Sequence, residues 1–189
     1  MIEWLVNIDT ALFVFLNVSL ANPVFDSAMP IITNDWLLRV LFLMIVLSLL
    51  IFGKKQGRVA AVLLVFSVIL SDQVSSHLIK PLVARVRPCH VVPDVHLLVN
   101  CSEGLSFPSS HAANSFAPAV LTSLIYRRRI WLFLAIAGVV AYSRIAVGVH
   151  YPLDVLSGAF VGSLCGTAVA IAYRFAEARF WRNKTTKLL

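Results

Sequence analysis

The sequence predicts an all-α fold, a polytopic membrane helical bundle, and its composition and hydropathy are the observations that predict it. Of the 189 residues, 59% are hydrophobic and 13% are charged, whereas soluble domains carry about 25% charged residues. The mean hydropathy is +0.86, which also excludes a disordered chain, because disordered chains are poor in apolar residues. With ~20 residues per membrane-spanning helix, residues 1–189 can form a single domain of about five transmembrane helices.

Residues 1–35 are predicted to form an N-terminal amphipathic interfacial segment. Polar residues interrupt this stretch too often for a clean apolar span, and a second short helical segment is expected after Asn22 and Pro23. The stretch lacks the basic start and the small-residue cleavage site of a signal peptide, and a poor sixth span is the alternative. The apolar residues at helical spacing are Trp4, Leu5, Ile8, Ala11, Leu12, Phe15 and Leu16.

Five apolar stretches in residues 36–174 are predicted to form the helical core. Each stretch ends at a charge, a glycine, a proline or an aromatic anchor. The last one carries Gly158, Gly162 and Gly166, and this four-residue spacing predicts close packing against another helix. The stretches are 37–52, 59–78, 112–125, 130–149 and 153–173.

The basic residues predict the orientation of these helices. Eleven of the 16 Lys and Arg residues lie in two tight loops, at Arg174 or in the basic C-terminal tail, 175–189, which assigns those ends to the cytoplasm. The long loop 80–109 then faces outward. The net charge of +7 does not indicate nucleic-acid binding, because no surface segment interleaves basic and aromatic residues. No protein partner is evident from the sequence. The eleven residues are Lys54, Lys55, Arg58, Arg127, Arg128, Arg129, Arg174, Arg179, Arg182, Lys184 and Lys187.

Two cysteines fall in the outward loop. An oxidising exterior would permit a disulfide between Cys89 and Cys101, and two free thiols are the alternative. A zinc site that includes His90 and His96 is disfavoured, because the cysteines lack the close spacing of zinc ligands.

Three clusters of polar residues lie at the predicted outward ends of helices. Ionisable residues at membrane depth are costly and are therefore functional candidates. Because helix ends on one membrane face can converge, we expect the clusters to share one pocket. They comprise Lys80 with Arg87, Ser109 and Ser110 with His111, and Arg144 with His150 and Asp154.

These residue types suit phosphoryl transfer. Arg and Lys bind phosphate oxygens, and backbone N–H groups from Pro108 to Ser110 at a helix start favour an anion. Asp154 follows His150 by one helical turn, so its carboxylate can fix the imidazole tautomer and leave a nucleophilic nitrogen. His111 can protonate the leaving oxygen, while the three cations stabilise the transferring group without a metal.

The three clusters also form a known pattern. K-x6-RP, P-S-x-H and S-R-x5-H-x3-D, between Lys80 and Asp154, resemble the type 2 phosphatidic-acid phosphatase superfamily. One departure is Ser110, where the family commonly has Gly. The resemblance implies a metal-independent membrane lipid phosphatase without cofactors. It also implies that Lys80, Arg87 and Arg144 clamp the phosphate, with Ser109 and the Ser110 backbone as further donors. His150 is then the nucleophile that forms a phosphohistidine, and Asp154 orients it. His111 is the acid that protonates the leaving group.

The expected function is hydrolysis of a lipid phosphate or diphosphate at the outer face of the bacterial cytoplasmic membrane, with undecaprenyl diphosphate as the preferred substrate. Lipid A 1-phosphate and phosphatidylglycerophosphate are alternatives, and a non-catalytic lipid-binding or transport protein is the alternative of another class. Outside the motifs, Asp72 and Ser76 share a helix face with Lys80. Arg85 is expected either to support the residues that contact the phosphate or to touch the substrate headgroup itself.

Overall fold

The computed structural model describes residues 2–125 and 129–186, with the backbone alone for Ile2 and residues 180–186. Within these ranges the chain forms nine α-helices and no strand, so the predicted all-α fold is confirmed. Short π-helical segments, Phe15–Ser19 and Gln73–Ile79, continue α1 and α4. The helices are α1 Ile2–Val14, α2 Pro23–Ile32, α3 Asp35–Phe52, α4 Lys54–Asp72, α5 Lys80–Val83, α6 Pro88–Val91, α7 Ser110–Ile125, α8 Ile130–Ala146 and α9 Pro152–Thr186.

The membrane character of the fold follows from helix length and composition. Three helical stretches are long and apolar enough to cross a membrane: Asp35–Phe52, Lys54–Val91 and Pro152–Arg179. The helix α8 is apolar but has 17 residues, and α7 has 16, so both are shorter than these three. The helices coincide with the five apolar stretches of the sequence, which thus form one bundle.

Several boundaries differ from the sequence prediction. The stretch predicted to end at residue 149 ends at Ala146, because the chain turns through Gly148, whose φ is +86°. The last helix runs on to Thr186, so residues 175–186 of the predicted tail continue α9 as helix. Arg127, Arg128 and Lys187, which carry part of the predicted cytoplasmic charge, lie outside the described residues.

The N-terminal segment consists of two helices that meet at 112°, the first running to Ser19 and the second being α2. The second begins where the sequence predicts, because Asn22 Oδ1 accepts hydrogen bonds from two backbone N–H groups and Pro23 occupies the first helical turn. Only the two helices together are long and apolar enough to cross a membrane. An interfacial segment and a bent sixth span are therefore both compatible with this geometry.

The first helix buries polar side chains against the bundle and exposes apolar ones. Asp9, Phe13 and Asn17 lie on one face at four-residue spacing, and each is at most 1% exposed. Trp4 on another face is 65% exposed, as expected of a side chain that contacts lipid. The buried face therefore presents a carboxylate and an amide to the rest of the protein.

Close packing of α7 on α9 organises the centre of the bundle. A Cβ atom at Gly158, Gly162 or Gly166 would overlap the carbonyl oxygen of Ser109, Ala113 or Ala117, respectively. The predicted small-residue interface is thus confirmed, and α7 is its partner. This contact sets the N-terminal ends of α7 and α9 side by side at one end of the bundle, which we call the site end.

Candidate active site

The three polar clusters of the sequence meet at the site end. The loop 80–109 supplies the first, the start of α7 the second, and the turn between α8 and α9 the third. A backbone hydrogen bond of 2.9 Å from the Ser109 N–H to the Asp154 carbonyl joins the second and third clusters. The structure therefore brings the three clusters together at the site end.

Arg87 reaches from the loop to the turn that carries His150. Its Nε donates to the Gly104 carbonyl at 2.8 Å, and one terminal nitrogen lies 3.3 Å from both the Val149 carbonyl and His150 Nε2. The side chain is 8% exposed, so this cation is held within the protein by neutral oxygens. An anion placed here would exchange those partners for stronger, charge-assisted hydrogen bonds.

The contact with Arg87 defines the protonation of His150. A guanidinium can only donate, so His150 Nε2 accepts and carries no proton, and the neutral ring has its proton on Nδ1. The imidazole is 2% exposed. Burial, and then the nearby positive charges of Arg144, Arg87 and Lys80, hold the pKa of His150 well below its usual value of 6.5. The ring is therefore neutral at neutral pH, with a free electron pair on Nε2.

Asp154 faces the other ring nitrogen. Its Oδ2 lies 3.5 Å from His150 Nδ1 and accepts a 2.9 Å hydrogen bond from the Tyr151 N–H, while its Oδ1 is 2.9 Å from an Arg85 nitrogen. The carboxylate is fully buried. Asp154 thus faces the ring nitrogen that its predicted orienting role requires, but the 3.5 Å contact is not a hydrogen bond, and Nδ1 has no hydrogen-bond partner among the described residues.

His111 and Arg144 both contact the turn between α2 and α3. His111 Nε2 lies 3.1 Å from Asp35 Oδ1, and a terminal nitrogen of Arg144 donates to Thr33 Oγ1 at 2.6 Å. Arg144 Nε is buried and has no hydrogen-bond partner among the described residues. The sequence analysis missed this turn; its one signal is the polar pair Asn34–Asp35 directly before an apolar helix.

The serines of the second cluster differ from expectation. The Ser109 N–H was predicted to be free for an anion, but it donates to the Asp154 carbonyl, because the two helix starts touch there. The Ser110 hydroxyl lies 2.9 Å from Ser76 Oγ, which in turn donates to Asp72 Oδ1 at 3.2 Å. The Ser110 side chain, which departs from the family pattern, is thus hydrogen-bonded to the π-helical segment that continues α4.

Loop 80–109 is tied down around the cations. Lys80 Nζ donates to the Leu105 carbonyl at 3.4 Å, and a disulfide joins Cys89 to Cys101 with 6.2 Å between the Cα atoms. In the described part of the chain, these cysteines and His90 form the single group of side chains spaced to hold a metal ion. Because both thiols are consumed by the disulfide, this group does not fit a metal site, and it lies outside the three polar clusters.

Comparison with known proteins is decisive for the family. Residues 60–178 match the family model described as the PAP2 superfamily. The chain belongs to the PAP2 superfamily. Lipid A 4'-phosphatase from Bacteroides thetaiotaomicron is 34% identical, with 88% of this chain and 77% of the relative covered. Undecaprenyl-diphosphatase BcrC from Bacillus subtilis is 31% identical, with 82% and 77% covered.

A solved PAP2 structure has the same fold. The crystal structure of Aquifex aeolicus LpxE superposes with a TM-score of 0.71 and 27% identity, covering 85% of this chain and 93% of that one. Together with the named phosphatase relatives, the family assignment makes the chain a membrane phosphatase, a hydrolase of phosphoric esters. The predicted enzyme class is thereby confirmed.

Proposed function

We propose that this PAP2 protein removes phosphate from a lipid headgroup through a phosphohistidine on His150, at the outer face of the bacterial cytoplasmic membrane. The observation that carries the proposal is the buried His150, with an unprotonated Nε2 directed at the Arg87 guanidinium and Nδ1 facing Asp154. A substrate phosphate that binds Arg87 would therefore meet the nitrogen that carries the free electron pair.

The reaction balances with the side chains in these positions. His150 Nε2 attacks phosphorus, and the bond from phosphorus to the lipid oxygen breaks as His111 gives that oxygen a proton. Water then attacks phosphorus and gives a proton to His111, while the bond from phosphorus to Nε2 breaks and returns its electron pair to His150, so that inorganic phosphate is released. Asp35 Oδ1 lies 3.1 Å from His111 Nε2, so this carboxylate can hold the ring in place.

The phosphate clamp of Lys80, Arg87 and Arg144 supplies the positive charge for the transition state. In the free protein these cations donate to neutral acceptors, namely two loop carbonyls, the Val149 carbonyl and the Thr33 hydroxyl. A bound phosphate offers charged acceptors in their place, so the clamp can act without a metal ion.

Two lipid classes are supported as substrates by the relatives. The relative from Bacteroides thetaiotaomicron, named for lipid A, favours a lipid A phosphate, while the BcrC relative favours undecaprenyl diphosphate, the substrate preferred from the sequence. We place the lipid A phosphate first, because that relative matches at higher identity and over more of this chain. Both substrates present a phosphate at headgroup depth, next to an apolar tail that can lie along the helices.

The test is phosphate release by the purified protein in detergent with EDTA present. Lipid A, undecaprenyl diphosphate and phosphatidylglycerophosphate are compared by kcat/KM, with His150→Ala as the inactive control. We expect lipid A to give the highest value and His150→Ala to give no turnover while remaining monodisperse. Substantial turnover by His150→Ala would refute the nucleophile, and binding of a lipid without release of phosphate would favour the non-catalytic alternative.

A further inference from the structure

A buried carboxylate from the N-terminal helix lies one side chain away from the catalytic motif. Asp9 Oδ2 is 2.7 Å from an Arg85 nitrogen, and Asp9 Oδ1 accepts a 2.8 Å hydrogen bond from the Leu153 N–H in the first turn of α9. The Asp9 side chain is 1% exposed. Because a buried charge is costly unless it is paired, this carboxylate requires the cation beside it.

Arg85 joins that carboxylate to Asp154. One terminal nitrogen contacts Asp9, the other lies 2.9 Å from Asp154 Oδ1, and the guanidinium carbon sits 3.8 Å above the centre of the Tyr151 ring. The planar guanidinium is therefore held on two edges and on one face. A side chain fixed in this way has little freedom to move when substrate binds.

The consequence for His150 follows from the two oxygens of Asp154. Arg85 engages Oδ1, so Oδ2 is the oxygen that faces His150 Nδ1. The negative charge of Asp9 balances the positive charge of Arg85, which leaves the charge of Asp154 available to stabilise the ring when Nε2 bonds to phosphorus and becomes cationic. Without Asp9, the partly buried Arg85 would have Asp154 as its one anionic partner among the described residues.

We propose that Asp9 and Arg85 are positioning residues, which orient Asp154 and through it His150, so that α1 completes the active site. The helix α1 lies outside residues 60–178, the part matched by the family model. The proposal rests on His150 as the nucleophile, as proposed above. Of the two roles expected for Arg85 from the sequence, the proposal favours support of the residues around the phosphate over contact with the substrate headgroup.

The primary test compares Asp9→Asn with Glu3→Gln, a matched loss of one carboxylate from the exposed side of the same helix. Asp9→Asn keeps an oxygen that can accept from the Leu153 N–H and loses the charge. We expect kcat to fall about 10- to 100-fold, as for other residues that orient a reactive group, with KM changed less than about twofold. Glu3→Gln should match the wild type in both parameters.

A double-mutant cycle separates positioning from a general loss of stability. If Asp9 acts through Asp154, then Asp9→Asn should lower kcat little further in a protein that already carries Asp154→Asn. Independent, multiplicative losses in the double variant would overturn the proposal. So would wild-type kcat in Asp9→Asn alongside a large loss in Asp154→Asn.

Two further variants separate failure of the positioning role from misfolding and from failure of the proposed nucleophile. If Asp9→Asn is not monodisperse, Arg85→Lys carries the same test. Lysine keeps the charge but has one nitrogen in place of the two that contact Asp9 and Asp154 separately, and unchanged kcat in Arg85→Lys would refute the proposal. Activity in His150→Ala would instead refute the proposed nucleophile, so the two failures are distinguishable.

Discussion

Replacing Gly158 by alanine should separate α9 from α7 at the site end of the bundle. The new Cβ would overlap the Ser109 carbonyl oxygen and lie 3.1 Å from Ala112 Cβ. A backbone carbonyl cannot turn away as a flexible side chain can, so the helices must move apart by roughly 1 Å to restore ordinary contact. The same substitution at Gly166, two turns deeper, meets the Ala117 carbonyl in the same way.

The expected magnitudes follow from this overlap. Overpacking costs about 1–3 kcal/mol, and the gain from replacing a helical glycine returns about 0.5–1 kcal/mol, so both variants should lose between about 0 and 2.5 kcal/mol of stability. A shift of roughly 1 Å at Gly158 would also break the 2.9 Å hydrogen bond from the Ser109 N–H to Asp154. We therefore expect kcat to fall about 10- to 100-fold in Gly158→Ala and to stay within about twofold in Gly166→Ala.

The assay combines thermal unfolding in detergent with phosphate release. Gly138→Ala on α8 is the matched control, because nothing among the described residues comes within 4 Å of a Cβ at that position. It should raise stability by about 0.5–1 kcal/mol without changing kcat. Equal kcat in the Gly158 and Gly166 variants, or a Gly158→Ala protein more stable than wild type, would refute the reasoning.

Three other predictions concern metal independence, acid stability and sidedness. Turnover should survive EDTA, and vanadate should inhibit by mimicking the phosphoryl transition state; a loss in EDTA that Mg²⁺ restores would contradict the mechanism. Because the folded protein lowers the pKa of His150 and the unfolded chain protonates this residue near pH 6.5, stability should fall below about pH 6.5, by at most about 1.4 kcal/mol per pH unit for this group. Unfolding curves of His150→Gln should lack that component, and identical pH dependence in both proteins would exclude it. In cells whose cytoplasmic membrane is intact, with the outer membrane permeabilised where one is present, an impermeant thiol reagent should label Cys89 or Cys101 after external reduction. A cysteine introduced by Gln56→Cys should stay protected, and the reverse pattern would invert the topology.

The three motif clusters could be predicted because each is local in sequence. His150 and Asp154 are one helical turn apart, and the hydropathy pattern placed every motif at a helix end on the same side. Close packing at the glycines of α9 could be predicted in the same way, because their four-residue spacing indicates a helix–helix contact even when the partner helix is unknown. Helix ends were less predictable, because α9 continues through polar residues that hydropathy assigns to a tail.

The contribution of the N-terminal segment could not be predicted in the same way. Asp9 reaches Leu153 across 144 residues of sequence, and Thr33 reaches Arg144 across 111. Hydropathy treats such polar residues as interruptions of an apolar stretch, although the structure buries Asp9 and Asn17 against distant backbone groups. Only tertiary contacts distinguish a polar residue that faces water from one that satisfies a buried partner.

The contacts of α1 have a consequence for how the protein is made. This helix leaves the ribosome before α8 and α9, yet Asp9 pairs with the start of α9 and the Asn17 amide donates to the Ala146 carbonyl at 2.9 Å. At 5–20 residues per second, the 144 residues between Asp9 and Leu153 take roughly 7–30 s to synthesise. During that time the polar face of α1 lacks these partners and can be solvated only at the membrane surface. Docking of α1 is therefore a late step of biogenesis, and chains that stop before residue 153 should be targets for quality-control proteases.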